Sequence, residues 1–228
     1  MIENKKKFFG GLVSMIGFII VLVIFFSPLF AGKNGLDYLD NLFNSISKGS
    51  AYYIQKVKSE AYGYKGVDIR VAIPTESEEQ GKKSALLYKS GGAGAAAGNG
   101  VLKITGDLGN ILSNCLEDAD YMYSNEGEKL SSKYGYNERE VLYNWWKTLN
   151  AMGKALKKQK KFKEADIVSL VVKKAVEPSY NYYRIEPQDI GDRWGIVIFA
   201  LIFYVVYTLW YGYSIMYMFE GWGMKLGH

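Results

Sequence analysis

One cysteine and one histidine in 228 residues exclude more chemistry than any motif in the chain suggests. Cys115 has no second cysteine with which to close an internal disulfide. The single histidine, His228, leaves no Cys/His set for zinc, no haem-attachment Cys-x-x-Cys-His and no Ser-His-Asp triad. Charged side chains make up 22% of the chain and hydrophobic ones 49%, which excludes a disordered or collagen-like polymer. The length fits one or two domains. Charge is missing altogether from two long stretches, and these set the architecture.

The first uncharged run, residues 8–32, follows Lys5, Lys6 and Lys7 and is followed by Lys33. The second, residues 194–219, follows Arg193 and ends at Glu220. At about 1.5 Å per residue each run is roughly 37–39 Å long as a helix, enough to cross a hydrocarbon core of about 30 Å. Leu29-Phe30-Ala31 resembles a cleavage triplet, but the apolar run exceeds the core of an export signal, so the run is read as an uncleaved signal anchor. Lysines near the N-terminus assign residues 1–7 to the cytoplasm. Two spans then return residues 220–228, with Lys225, to the same side, and residues 33–193 lie outside the cytoplasmic (inner) membrane, in a periplasm or the exterior. That segment carries 24 basic and 21 acidic residues, a net charge of about +3, so the basic balance does not indicate nucleic-acid binding.

Within the outer segment, Leu36, Leu39, Leu42, Phe43 and Ile46 recur at helical spacing opposite Asp37, Asp40, Asn41 and Asn44. The pattern predicts a helix over 35–61, bent near Gly49, with Tyr53, Ile54 and Val57 inward. Val67, Ile69, Val71 and Ile73 alternate as a half-buried strand ended by Pro74, and residues 101–105 form a second. A small α/β stretch, 66–106, therefore holds two strands, a helix over 77–88 and a Gly/Ala-rich loop over 91–100. Further helices are predicted over 108–123, 138–158 and 164–176. A polar break spans 124–137, and Pro178 stops the last helix. The inward face of 138–158 is Leu142, Trp145, Trp146, Leu149, Met152 and Leu156. Met152, Gly153, Leu156, Phe162 and Ala165 fall at spacings compatible with a tetratricopeptide unit. The pattern occurs once, where such units need stacked neighbours, so the segment is read as an ordinary helical hairpin. The fold class is a mainly α membrane protein: two transmembrane helices flanking a helix-rich α+β extracytoplasmic domain with a short two-stranded element.

Motifs for chemistry are sparse. Gly92-Ala93-Gly94-Ala95-Ala96-Ala97 resembles a dinucleotide fingerprint, but the next strand starts too soon to leave room for the phosphate-binding helix. Ser45 and Lys48 have the Ser-x-x-Lys spacing of some acyl-transfer enzymes, and nothing downstream completes the set. Glu117, Asp118 and Asp120 lack calcium-loop spacing and read as a solvated helix edge. Cys115 reads as a small apolar core residue. Lys154, Lys157, Lys158, Lys160, Lys161 and Lys163 form a patch for an acidic partner or lipid headgroups, set against a plain solvated corner. In the second span, Tyr204, Tyr207, Thr208, Tyr211 and Ser214 fall within an arc of roughly 120°. Hydroxyls on one side of a membrane helix seek hydrogen bonds in a protein interface, because lipid offers none. Gly10, Ser14 and Gly17 are the small packing positions of the first span.

These features predict no catalytic residue set, no cofactor and no metal. They point to a non-catalytic accessory or structural subunit of a multi-subunit inner-membrane complex, respiratory or otherwise energy-transducing, that positions its outer domain at the membrane surface. Its partners are other membrane-protein subunits through the second span, the lipid bilayer and an extracytoplasmic protein, with no nucleic acid. The alternatives are a sensory or regulatory ectodomain signalling through a partner membrane protein and, more remotely, a membrane-tethered Ser/Lys hydrolase.

Overall fold

A long apolar helix near each end of the chain brackets a mixed α+β region in the computed structural model, which describes residues 2–30 and 32–224. The chain divides into two units, Met1–Ser47 with Pro187–His228, and Lys48–Glu186. Lys225 lies outside the described residues.

In the first unit, α1 (Lys5–Phe26) begins at Asn4, whose side chain accepts from the Lys7 amide at 3.1 Å. It ends six residues before the predicted boundary at 32. Pro28 has no N–H to continue the ladder and drives Ser27 into extended backbone (ψ 151°). The other long helix of this unit, Ile190–Gly221, starts at an Asp189 cap and spans 32 residues. Both are long and apolar enough to cross a membrane. They pack antiparallel: the Asn4 amide donates to the Gly221 carbonyl at 3.0 Å, and Phe25 stacks on Phe203 toward the other end.

The predicted helix over 35–61 is two helices, α2 (Gly35–Ser50) and α3 (Ile54–Tyr62). The break falls just past Gly49, at residues 51–53. Ile54 and Val57 are buried as expected, but Tyr53, at the N-cap rather than inside the helix, is exposed.

The sheet of the second unit has three strands, not two: β1 (Asp68–Pro74), β2 (Gly94–Gly98) and β3 (Val101–Asp107), antiparallel in the order β1-β3-β2. The extra strand is the Gly/Ala-rich piece read as a loop. Its cause is Asn99-Gly100, which joins β2 to β3. Both residues have positive φ (53° and 71°), the requirement of a two-residue type I′ hairpin. Gly98 then faces Val101, and the alanines lie in register with Ile104, Lys103 and Leu102. Helix α4 (Glu78–Ser90), capped by Ser77, packs on β2. A Cβ on Gly81 would lie 3.1 Å from the Ala97 methyl, so small residues set that spacing.

Behind the sheet, Ile69, Val71, Ile73, Leu102 and Ile104 share one core with α5 (Leu108–Tyr123) and α7 (Glu138–Lys158). The α7 boundaries match the sequence reading because Asn137 caps the helix by accepting from the Arg139 and Glu140 amides. Trp145 is fully buried. Trp146, expected beside it, is 38% exposed, since one residue further round a helix is about 100° away from the core. The polar break over 124–137 contains another helix, α6 (Glu128–Tyr134), which buries Leu130 and Tyr134 and closes on Gly135 at φ 77°. Helix α8 (Phe162–Val171) does not stop at Pro178. A five-residue π segment (Val172–Val176) shifts the hydrogen-bond register and leads into α9 (Glu177–Asn181). Pro178 is the second residue of α9, and the helical backbone runs on through it from the π segment (Val176 φ −64°, ψ −51°). The long C-terminal helix, Ile190–Gly221, is α10.

Candidate functional site

The hydroxyl arc of α10 divides in two. Ser214 is fully buried, with its Oγ 2.7 Å from Ser14 Oγ of α1, and it donates to the Trp210 carbonyl at 2.7 Å. Tyr207 and Tyr211 place their rings 6.1 and 5.4 Å from the Phe18 ring. Tyr204 and Thr208 turn elsewhere: Thr208 Oγ1 donates back to the Tyr204 carbonyl at 2.7 Å, and Tyr204 is 60% exposed. Part of the arc thus meets α1 of the same chain, and the Tyr204 hydroxyl has no hydrogen-bond partner among the described residues.

Two seam residues escaped the sequence reading. Trp210 Nε1 donates to both the carbonyl (3.1 Å) and the Oγ (2.9 Å) of Ser14. Gly11 marks the close approach, since a Cβ there would lie 2.8 Å from Met218 N and Ser214 O. Gly10 faces open space, whereas Gly17 meets the Trp210 ring at 3.3 Å. The signal was the spacing of Gly11, Ser14 and Gly17, three residues apart along one side of α1.

In the other unit, Asp118 is not on a solvated edge: it is fully buried. Its carboxylate accepts from Tyr134 OH (2.6 Å), Trp145 Nε1 (2.8 Å) and Lys133 Nζ (2.8 Å). The correction follows from α6, which brings Lys133 and Tyr134 to it. Asn114 extends the network, accepting from Lys133 at 2.7 Å and donating to Tyr134 OH at 3.1 Å. Burial holds the Asp118 carboxyl above its usual 3.8, opposed by those three donors. Asp120 differs: it is partly exposed and takes Tyr52 OH (2.7 Å) and Lys58 Nζ (2.6 Å). No cluster of three or more His, Cys, Asp or Glu side chains able to hold a metal occurs among the described residues.

Cys115, one turn before Asp118, is fully buried, and burial followed by the Asp118 charge pushes its thiol well above the ordinary range. A maleimide at neutral pH should therefore leave native Cys115 unmodified and label it fully after denaturation. Rapid labelling of the folded chain would contradict this packing.

Lys48 is buried, and Nζ donates to Asn125 Oδ1 (2.9 Å) and the Ile185 carbonyl (2.6 Å), 5.4 Å over the Tyr123 ring. Tyr123 OH returns a bond to the Lys48 carbonyl at 2.5 Å, and Asn125 Nδ2 donates to Glu186 at 2.9 Å. Burial lowers the Lys48 pKa, partly countered by Glu186. The ammonium thus ties the first residue of this unit to its last two. Ser45 belongs to the other unit, where its carbonyl accepts from Gln188 N at 3.1 Å.

Gly94 to Gly98 form strand β2, and the chain turns straight into β3, so no helix N-terminus follows these glycines. The six lysines lie on the last turns of α7, in the turn after it and at the start of α8. Lys161 Nζ donates to the Asp68 carbonyl at 3.2 Å, and none of the six has an ion-pair partner among the described residues.

No family model, curated protein or solved structure matches the chain.

Proposed function

We propose that this chain is a non-catalytic, membrane-anchored subunit that crosses the cytoplasmic membrane twice, keeps both ends in the cytoplasm and tethers the Lys48–Glu186 unit outside by both of its ends. Its place is in a larger assembly of membrane proteins.

One observation carries the reading. Along one face of α10, Tyr204 (60% exposed) and Tyr211 (46%) present hydroxyls with no hydrogen-bond partner among the described residues. In hydrocarbon an unpaired hydroxyl is costly, about 2 kcal/mol or more, so such a row fits a helix that meets polar groups on neighbouring helices. Trp210 and Ser214 of the same helix bond to α1, which leaves these two hydroxyls for others.

Purification in mild detergent at native expression should yield a particle larger than the 25.7 kDa chain with other membrane proteins in fixed ratio. Tyr204→Phe/Tyr211→Phe, which removes the two hydroxyls but keeps the Tyr211 ring against Phe18, should weaken the hold on those partners while leaving the α1–α10 seam intact. A lone monomer from the unmodified protein would overturn the reading.

A further inference from the structure

A groove of about 420 Å³ runs between α7 and strand β1. Its α7 wall is one helical stripe, Lys147, Ala151, Lys154 and Lys158, at spacings of four, three and four residues, so the stripe is roughly 16 Å long. Ala151 contributes a small side chain within that wall, and Trp146, 38% exposed, lines it with its Nε1 bonded to Glu177 at 2.9 Å. Lys147 is paired with Glu76, whereas Lys154 and Lys158 have no carboxylate partner among the described residues.

The opposite wall is the outer edge of the sheet, because among the described residues β1 pairs only with β3. Alternate residues of an antiparallel edge strand aim both backbone groups outward. Two carbonyls on that edge are taken, Arg70 O by Gln159 Nε2 (2.9 Å) and Asp68 O by Lys161 Nζ (3.2 Å). Ala72 comes next in the alternation and lines the groove, with its outward backbone groups unbonded among the described residues.

We infer that this groove binds an extended acidic segment of a partner protein, with carboxylates on Lys154 and Lys158, an apolar or aromatic side chain against Trp146, and its main chain along β1 at Ala72. Charge selects the occupant: the free side chains of the groove are cationic, so a basic or neutral strand leaves them unanswered, while Trp146 supplies the kind of exposed aromatic anchor on which binding energy concentrates. The inference gives a partner chemistry to the subunit reading above and rests on it.

The test uses the full chain in detergent micelles, with fluorescent random copolymers as probes. A glutamate–tyrosine copolymer should bind and a lysine–tyrosine copolymer should not. Lys154→Glu/Lys158→Glu should weaken binding about tenfold or more, while reversing two exposed lysines elsewhere, Lys56→Glu/Lys89→Glu, should change it less than about twofold. Trp146→Gln should abolish the preference for the glutamate–tyrosine copolymer over polyglutamate, with an unchanged urea unfolding midpoint confirming the fold. Equal losses in both lysine pairs, an unchanged Trp146→Gln variant, or self-association of the chain through the groove would each overturn the inference. Failure here with co-purifying membrane proteins intact removes the groove alone, whereas a lone native monomer removes the subunit reading.

Discussion

Asp118→Leu should destabilise the Lys48–Glu186 unit by about 3 kcal/mol, the lower end of the range for breaking a buried charged network from one side. The leucine fills the space but leaves Tyr134 OH and Trp145 Nε1 in the core without an acceptor. Lys133 moderates the loss: it is 26% exposed and already within 3.5 Å of Glu117, so its ammonium can turn outward. Asp118→Asn keeps an acceptor for the two ring-borne donors and should cost about 1–2 kcal/mol. The pH dependence has a definite sign. Burial holds the native carboxyl above its usual 3.8, so the folded chain keeps this proton to higher pH than the unfolded one. The stabilising contribution is therefore complete below pH 3.8 and is lost as pH rises through the native value. The stability gap between wild type and Asp118→Asn should narrow over that window and then stay level. Urea titrations across the acid range measure it, and a gap that widens with pH would contradict the assignment.

Gly11→Leu should separate α1 from α10. The added Cβ would lie 2.8 Å from two backbone atoms, Met218 N and Ser214 O, and neither can rotate away as a side chain could. Separation breaks the Ser14–Ser214 contact and both bonds from Trp210 to Ser14. Disulfide formation in a Ser14→Cys/Ser214→Cys chain reads this directly. The two oxygens are 2.7 Å apart, close enough for cysteines at those positions to bridge, whereas Cα atoms beyond about 7 Å cannot. The crosslink should form readily in the parent and fall about tenfold or more with Gly11→Leu. Gly10→Leu, whose Cβ meets nothing within 4 Å, should leave it unchanged. Equal crosslinking in all three would show that the close approach at Gly11 does not hold the pair together.

Elements dictated by local pattern were legible in the sequence. The two apolar helices follow from long runs without charge, and α7 from an Asn137 cap ahead of a regular inward stripe. What stayed hidden depended on partners distant in sequence. Strand β2 is built of glycine and alanine, which have little strand preference, and its determinant is the Asn99-Gly100 turn that pairs it with β3. Asp118 lies on the same stripe as Ile111, Cys115 and Met122, so periodicity pointed inward while charge pointed outward. Lys133, Tyr134 and Trp145 settle the matter, and two of those come from a helix hidden in a polar stretch. Of the candidate interface on α10, spacing gave the hydroxyl arc but not its division, because Trp210 joins the seam through an indole N–H rather than through a small or hydroxyl-bearing side chain.

The central claim is that α1 and α10 both cross the bilayer and hold the Lys48–Glu186 unit on the side opposite the two chain ends. The native Cys115 is buried, so single introduced cysteines can be read against a silent background. Glu3→Cys and Lys103→Cys, both at exposed positions, are treated with a membrane-impermeant maleimide in intact spheroplasts. The account predicts that Lys103→Cys is labelled at once and Glu3→Cys only after the membrane is permeabilised. Labelling of Glu3→Cys in intact spheroplasts with Lys103→Cys protected would contradict it.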